Sequence, residues 1–292
     1  MNMIPGKTTI GFIGLGVMGQ SMAGHIVNAG YELHVYTRTK KKGETIIAQG
    51  GIWENSVPEL SRKCDVIITI VGFPADVEVI YFGENGILNH AKNGSVVIDM
   101  TTSSPDLAVK IHDQAKEKKI DSLDAPVSGG DIGARNASLT IMAGGDKNIF
   151  DQILPLFKIM GKNIELQGKS GAGQHAKISN QIAIAAGMIG VCEAIAYAEK
   201  SGLDPETVLK SIGQGSAGSW SLNNLGPRMI AKNFEPGFYI KHFRKDMKIA
   251  AISSKELGLE TPGLDLAISL YKKMADKGLE NDGTQGLYKL FK

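Results

Sequence analysis

Three glycines between residues 14 and 19 leave this chain few folds to adopt. Gly14-Leu-Gly16-Val-Met-Gly19 follows a short apolar run, Thr8 to Ile13, that reads as a strand. A helical pattern continues from Val17 to Asn28 and is stopped by Gly30, and a second strand pattern covers Glu32 to Tyr36. Strand, glycine turn, helix and strand in that order make a βαβ unit. In such a unit Gly14 permits the tight turn, Gly16 lets a ligand approach the main chain, and Gly19 lets the helix pack close to the strand. The start of the helix then offers open N–H groups to an anion. A dinucleotide pyrophosphate suits that turn, with Gly14, Leu15, Gly16, Met18 and Gly19 as its candidate contacts.

The end of the second strand bears on which dinucleotide. NAD is normally met there by an acid on the ribose 2′-hydroxyl. Here the chain reads Tyr36-Thr37-Arg38-Thr39 followed by three lysines, with no acid before Glu44. A guanidinium forks phosphate oxygens, so Arg38 with Thr39 suits a 2′-phosphate and favours NADP over NAD.

Alternation continues to about residue 168. Asp65 to Val71 reads as a buried strand, and the Gly72-Phe73-Pro74 loop after it lies where ligands sit in open α/β sheets, making Phe73 and Pro74 cofactor candidates. Asp76 has the character of a helix cap. Ser95 to Asp99 is a further strand, running into Thr101-Thr102-Ser103-Ser104 and a helix that Pro105 opens, with Ser103 or Ser104 as its cap. The strand Ile120 to Ala125 leads to Ser128-Gly129-Gly130, whose hydroxyl and open N–H groups form a cradle for a carboxylate. Leu139 to Ala143, a helix over Lys147 to Met160 despite Pro155, and a short strand over Asn163 to Gln167 complete the pattern. The fold class expected is an α/β Rossmann domain with a mostly parallel, doubly wound sheet over residues 1–168, followed by an all-α domain over 169–292 joined by a long helix.

That helix is expected from Gln174 to Glu199, apolar on more than one face, as suits a helix shared between domains or subunits. It opens in Gly171-Ala-Gly173-Gln-His-Ala-Lys177, with Asn180 and Gln181 three and four residues after the lysine and so on the same face. A lysine in this position can give a proton to a developing alkoxide or take one from a hydroxyl, and the positive helix end would lower its pKa. Lys177, Asn180 and Gln181 are therefore the catalytic candidates, placed where a substrate could meet both halves. Further helices are expected from Asp204-Pro205, over Lys241 to Glu256, from Pro262 to Lys277, and in the tail.

The 292 residues carry a net charge of +2, which gives no reason to expect nucleic acid or an anionic membrane as partner. No apolar run is expected to reach the length of a membrane span, and Met1 to Thr9 lacks the apolar core of a signal peptide. The two cysteines, Cys64 and Cys192, each beside apolar residues, fit a reducing cytoplasmic setting. The six histidines show no metal-ligand spacing, and neither a G-x-S-x-G elbow nor a Walker loop is present.

Gly11 to Gly19, Asp124-Ala-Pro-Val-Ser-Gly-Gly130, Gly171-x-Gly-x-x-x-Lys177 and Lys245-Asp246, in this order over nearly the whole length, resemble the motifs of the β-hydroxyacid dehydrogenases. That family includes 3-hydroxyisobutyrate dehydrogenase, tartronate semialdehyde reductase and glyoxylate/succinic semialdehyde reductase. The resemblance implies Lys177 as general acid/base and Ser128, Gly129 and Gly130 around the substrate carboxylate. It implies Thr102 beside the nicotinamide, Lys245 on the cofactor, and Phe238 and Asp246 toward the substrate. It also implies a small semialdehyde or hydroxy acid as substrate, NADP or NAD as cofactor, and a homodimer or homotetramer. The assisting amide is open between Asn180 and Gln181. A non-catalytic NADP-binding relative would be expected to lose the lysine, as imine reductases typically do. A 6-phosphogluconate dehydrogenase would have a much larger helical domain and a histidine where Ser179 stands.

Overall fold

The computed structural model describes residues 3–292. They form two compact units, one ending at Lys177 and the other covering Ile178–Lys292. The division falls later than the change of composition near Gly168. The reason is local: the first turn of the long helix is hydrogen-bonded to strand ends of the first unit, through Gly171 N and Gln174 N to the Asp124 carboxylate.

Among the described residues of the first unit, nine strands form one sheet: β1 (Thr9–Ile13), β2 (Glu32–Tyr36), β3 (Ile52–Trp53), β4 (Val66–Thr69), β5 (Val96–Asp99), β6 (Asp121–Asp124), β7 (Val127–Ser128), β8 (Leu139–Gly145) and β9 (Gly161–Gly168). The order is β3-β2-β1-β4-β5-β6-β8-β7, with β9 beside β8. The first six are parallel, and the chain reverses only where β6 and β7 pair antiparallel with β8. β1 has β2 on one side and β4 on the other, so the strand order changes direction at the glycine turn, the crevice where open α/β sheets bind ligands.

One row of register partners runs across the carboxyl ends of these strands: Tyr36, Ile13, Thr69, Asp99 and Asp124. Partners in a row share a face of the sheet. Below them on that face lie Ile67 and Val97, packed with Leu60, Tyr81 and Ile111. The opposite face buries Ile10, Phe12, Val35, Ile68 and Ile98 against Met22, Ala23 and Ile26 of the helix Val17–Asn28. The row is therefore apolar at one end and becomes polar at Thr69, Asp99 and Asp124.

Several expectations need correction. The helix after β4 starts at Pro74, not at Asp76: Phe73 is its cap and Asp76 stands three residues in, its carboxylate reaching back to accept from Phe73 N at 3.1 Å. Of the two serines before Pro105, Ser104 is the cap, accepting from Leu107 N at 3.2 Å. The short elements β3, β7 and the helices Val57–Lys63 and Gly130–Arg135 had no expected counterpart.

The second unit continues the helix Ala172–Lys200 and adds Pro205–Ile212, Trp220–Ile230, Ile240–Glu256 and Pro262–Asp276, then a 3-10 turn, Thr284–Leu290. Its own core gathers Met188, Cys192 and Ile195 with Phe243, Met247, Tyr271 and Tyr288. Ala172–Lys200 also corrects the expectation about apolar length: its 29 residues carry an 18-residue window of mean hydropathy 1.6, long and apolar enough to cross a membrane, though half of that window is buried within the protein.

Candidate active site

The three glycines of the first turn are needed for different reasons. Gly14 has φ +104°, and a Cβ there would strike the Ile70 carbonyl. A Cβ on Gly19 would strike the Gly14 carbonyl. Gly16 has ordinary backbone angles, φ −79° and ψ −164°, and a Cβ on it would meet no protein atom within 4 Å. The open space at Gly16 lies over a helix start with no side-chain cap and no acid in its first turn. That combination fits a pyrophosphate. Leu15 is fully buried in the core, so only its main chain can take part. Met18 is half-buried.

Arg38 stands just past β2 with 81% of its side chain exposed, its Nη1 3.2 Å from Asp76 Oδ1. An ion pair this exposed is worth ~0–1 kcal/mol, little enough for a phosphate to displace. Thr39 is exposed beside it, and Phe73 and Pro74 border the same carboxyl edge of the sheet after β4.

After β5 the hydroxyls alternate. Thr101 and Ser103 are buried, while Thr102 between them is half-buried. Thr101 N donates to Asp99 Oδ1 at 3.0 Å, and Thr101 Oγ1 accepts from Val71 N at 2.9 Å. Thr69 Oγ1 donates to the same Asp99 oxygen at 2.9 Å. Burial pushes the Asp99 carboxyl up to about 6 against these hydrogen bonds, with the Asp124 charge adding to the rise.

Ser128, Gly129 and Gly130 follow β6 and are half-buried. Gly129 at φ +125° and Gly130 at φ +62° are consecutive left-handed residues, a turn few other residues would tolerate. A Cβ on Gly130 would meet nothing within 4 Å.

Asp124 holds the start of the lysine helix. Its Oδ1 accepts from Gly171 N at 2.8 Å and its Oδ2 from Gln174 N at 2.9 Å; burial raises its carboxyl against these bonds. Gly173 and Gly144 exist for this approach: a Cβ on Gly173 would come 2.8 Å from Asp124 Oδ2, and one on Gly144 2.6 Å from Oδ1. Gly171 at φ +88° turns the chain into the helix. Lys177, in the second turn, is buried.

In the second unit, the remaining candidates form one chain of contacts. Asn180 Nδ2 donates to Gln181 Oε1 at 2.7 Å, Gln181 Nε2 donates to Asp246 Oδ2 at 2.6 Å, and Lys245 Nζ lies 2.9 Å from Asp246 Oδ1. Gln181 is fully buried with both ends of its amide engaged, whereas Asn180 is half-buried. Asp246 is buried, its Oδ2 taken up by the Gln181 amide and its Oδ1 facing the Lys245 ammonium. Phe238 is half-buried, its ring 5.6 Å from that of Phe243.

Sequence reasoning missed Asp99, Thr101 and Gln174, and gave Asp124 no role of its own. The signal was present: an acid ends both β5 and β6, at positions where buried parallel strands are otherwise apolar.

Residues 9–168 match the family model described as the NAD binding domain of 6-phosphogluconate dehydrogenase. Residues 171–291 match the NAD-binding model of NADP-dependent 3-hydroxyisobutyrate dehydrogenase. An uncharacterized oxidoreductase of Bacillus subtilis, YkwC, is 62% identical over 98% of this chain and 99% of its own. The 2-hydroxy-3-oxopropionate reductase of Escherichia coli is 39% identical over 92% of each. The solved structure of Mycobacterium tuberculosis 3-hydroxyisobutyrate dehydrogenase with L-serine superposes with a TM-score of 0.88 at 29% identity, covering 98% of this chain and 99% of that one. The chain thus belongs to the NAD(P)-dependent hydroxyacid dehydrogenases of the 3-hydroxyisobutyrate dehydrogenase type.

Proposed function

We propose that this oxidoreductase interconverts a short 3-hydroxy acid of the 3-hydroxyisobutyrate type and its semialdehyde, with Lys177 as general acid/base and NADP preferred over NAD. The observation that carries the reading is Lys177 itself: a buried lysine on a helix whose first turn is fixed to the sheet by Asp124. Lysine is seldom buried, and a buried lysine is a candidate functional group.

Gly14, Leu15, Gly16, Met18 and Gly19 would hold the pyrophosphate, Arg38 and Thr39 the 2′-phosphate, and Thr102 the nicotinamide end, with Phe73, Pro74 and Lys245 as further cofactor contacts. When bound, the dinucleotide supplies the acceptor, or in reverse the donor, of the hydride and its electron pair. Ser128 and the N–H groups of Gly129 and Gly130 receive the substrate carboxylate. In oxidation Lys177 Nζ, as the free amine, takes the hydroxyl proton; in reduction the ammonium returns it to the alkoxide. Of the two amides, Asn180 is assigned to the substrate and Gln181 to its support, since the Gln181 amide is engaged at both ends.

Two further parts of the reading are supported more generally. The exposed positions Ala183, Ala186, Gly187 and Tyr197 give the apolar helix a face for self-association as a dimer or tetramer. The two cysteines are buried free thiols, in keeping with the cytoplasm.

The test follows absorbance at 340 nm with NADPH and with NADH, against methylmalonate, tartronate and succinate semialdehydes and glyoxylate, and in oxidation against 3-hydroxyisobutyrate and L-serine. Lys177→Ala is expected to lose about 10²- to 10⁴-fold in kcat while still binding NADPH. Full activity in that variant, or no turnover by the wild type on any of these compounds, defeats the reading.

A further inference from the structure

Gln174 is fully buried in the first turn of the lysine helix, and its side chain leaves the helix to meet main chain elsewhere. Its Oε1 accepts from Ser103 N at 3.0 Å, and its Nε2 donates to the Thr101 carbonyl at 2.8 Å. One amide thus spans the three-residue segment after β5, with Thr102 between its two contacts. A donor and an acceptor on neighbouring main-chain groups fix that segment in rotation as well as position.

The same segment and the same helix turn are anchored from below. Thr101 N donates to Asp99 Oδ1, and Gln174 N donates to Asp124 Oδ2. Asp99 and Asp124 are register partners on β5 and β6. The hydrogen bonds therefore close a ring, from Asp99 through Thr101 to Gln174, on to Asp124, and back across the sheet. Lys177 lies three residues beyond Gln174, one turn along the same side of the helix.

We infer that Gln174 is a positioning residue for the proton and hydride transfer: it locks the lysine helix to the Thr101–Ser103 segment, so that Lys177 and Thr102 keep one fixed relation. The inference rests on the reading of Lys177 as general acid/base. It does not give Gln174 any contact with the reacting atoms. Glutamine suits the place and its near relatives do not. Glutamate would turn an acceptor toward the Thr101 carbonyl, asparagine is one methylene shorter, and methionine fills the volume with neither bond.

The experiment compares wild type, Lys177→Ala, Gln174→Met and Gln174→Glu in NADP-linked oxidation of 3-hydroxyisobutyrate, using substrate with hydrogen or deuterium on the hydroxyl-bearing carbon. Loosened alignment lowers the transfer step itself, so Gln174→Met is expected to lose about 10- to 100-fold in kcat. KM should stay within about threefold, and the deuterium isotope effect on kcat should rise as hydride transfer limits turnover. In the cofactor-free protein, amide exchange over residues 101–104 and 171–177 should quicken, with distant segments unchanged. Gln174→Glu keeps the acceptor toward Ser103 but sets a second acceptor against the Thr101 carbonyl, so it is expected to show the same changes, and it carries the test should Gln174→Met fail to fold. If Lys177→Ala is inactive while the Gln174 variants keep wild-type kcat and isotope effect, or lose activity only in proportion to unfolded protein with the isotope effect unchanged, the inference is overturned and the reading of Lys177 stands. An active Lys177→Ala, or a wild type that oxidises neither 3-hydroxyisobutyrate nor L-serine and reduces none of the semialdehydes, overturns both.

Discussion

Glycine is required at neighbouring positions of the first turn by opposite causes, and the two can be separated by substitution. Gly14→Ala puts a side chain at φ +104° and against the Ile70 carbonyl. It should cost roughly 2 kcal/mol or more of stability, with or without ligand. Gly16→Ala meets no protein atom and keeps an allowed φ, so its stability should change by less than about 1 kcal/mol. If Gly16 takes the pyrophosphate as proposed, the new methyl would stand in its way, and affinity for NADPH should fall about tenfold or more. Denaturant unfolding and a fluorescence titration of each variant read the two effects apart. Equal loss of affinity and stability in both variants would remove the assignment of Gly16 to a ligand.

At the scale of the element, the terminal row of the sheet shows what the sequence can and cannot convey. The strands β1, β2, β4 and β5 are legible because each is a short apolar run bounded by turn residues. The two-residue strands β3 and β7 are not, since two residues carry no period. The helix Trp220–Ile230 hides because Gly226 and Pro227 are helix breakers by type, yet the helix carries both inside it. Asp99 and Asp124 are plain in the sequence as acids at strand ends, but only the register places them side by side and only the folded chain brings Gly171 and Gln174 to Asp124. Gln174 has no local signal at all, because its partners lie about seventy positions earlier.

The row also predicts a pH dependence. The Asp99 carboxyl rises from 3.8 unfolded to about 6 folded, chiefly through burial. Below about pH 4 both states carry the neutral acid and the site costs nothing. As pH rises through 6 the folded chain must hold a buried carboxylate, and stability is lost. At about 1.4 kcal/mol per pKa unit the loss is roughly 3 kcal/mol. Asp99→Asn carries no such charge, so its stability relative to wild type should climb between pH 4 and pH 7 and then level off. Urea unfolding of both proteins at several pH values checks this, and a difference that is flat across the range would show that Asp99 does not titrate there.

At the scale of the whole molecule, dinucleotide choice should be readable in the stability of the entire chain. A ligand that binds only the folded state adds about 2.7 kcal/mol at a hundred times its Kd. If Arg38 and Thr39 receive a 2′-phosphate, NADPH should raise the unfolding midpoint more than NADH at equal concentration. The two ligands differ only in that phosphate, so the excess belongs to it. Arg38 is otherwise held by a single exposed pair with Asp76, so its removal disturbs little else in the fold. Arg38→Ala should keep the midpoint of the free protein within about a degree or two. It should also bring the NADPH shift down to the NADH shift and leave the NADH shift unchanged. Added salt should shrink the NADPH excess in the wild type, since the pair that forms is exposed and screened. A larger shift with NADH than with NADPH, or an excess that survives in Arg38→Ala, would move the choice of dinucleotide away from the end of β2.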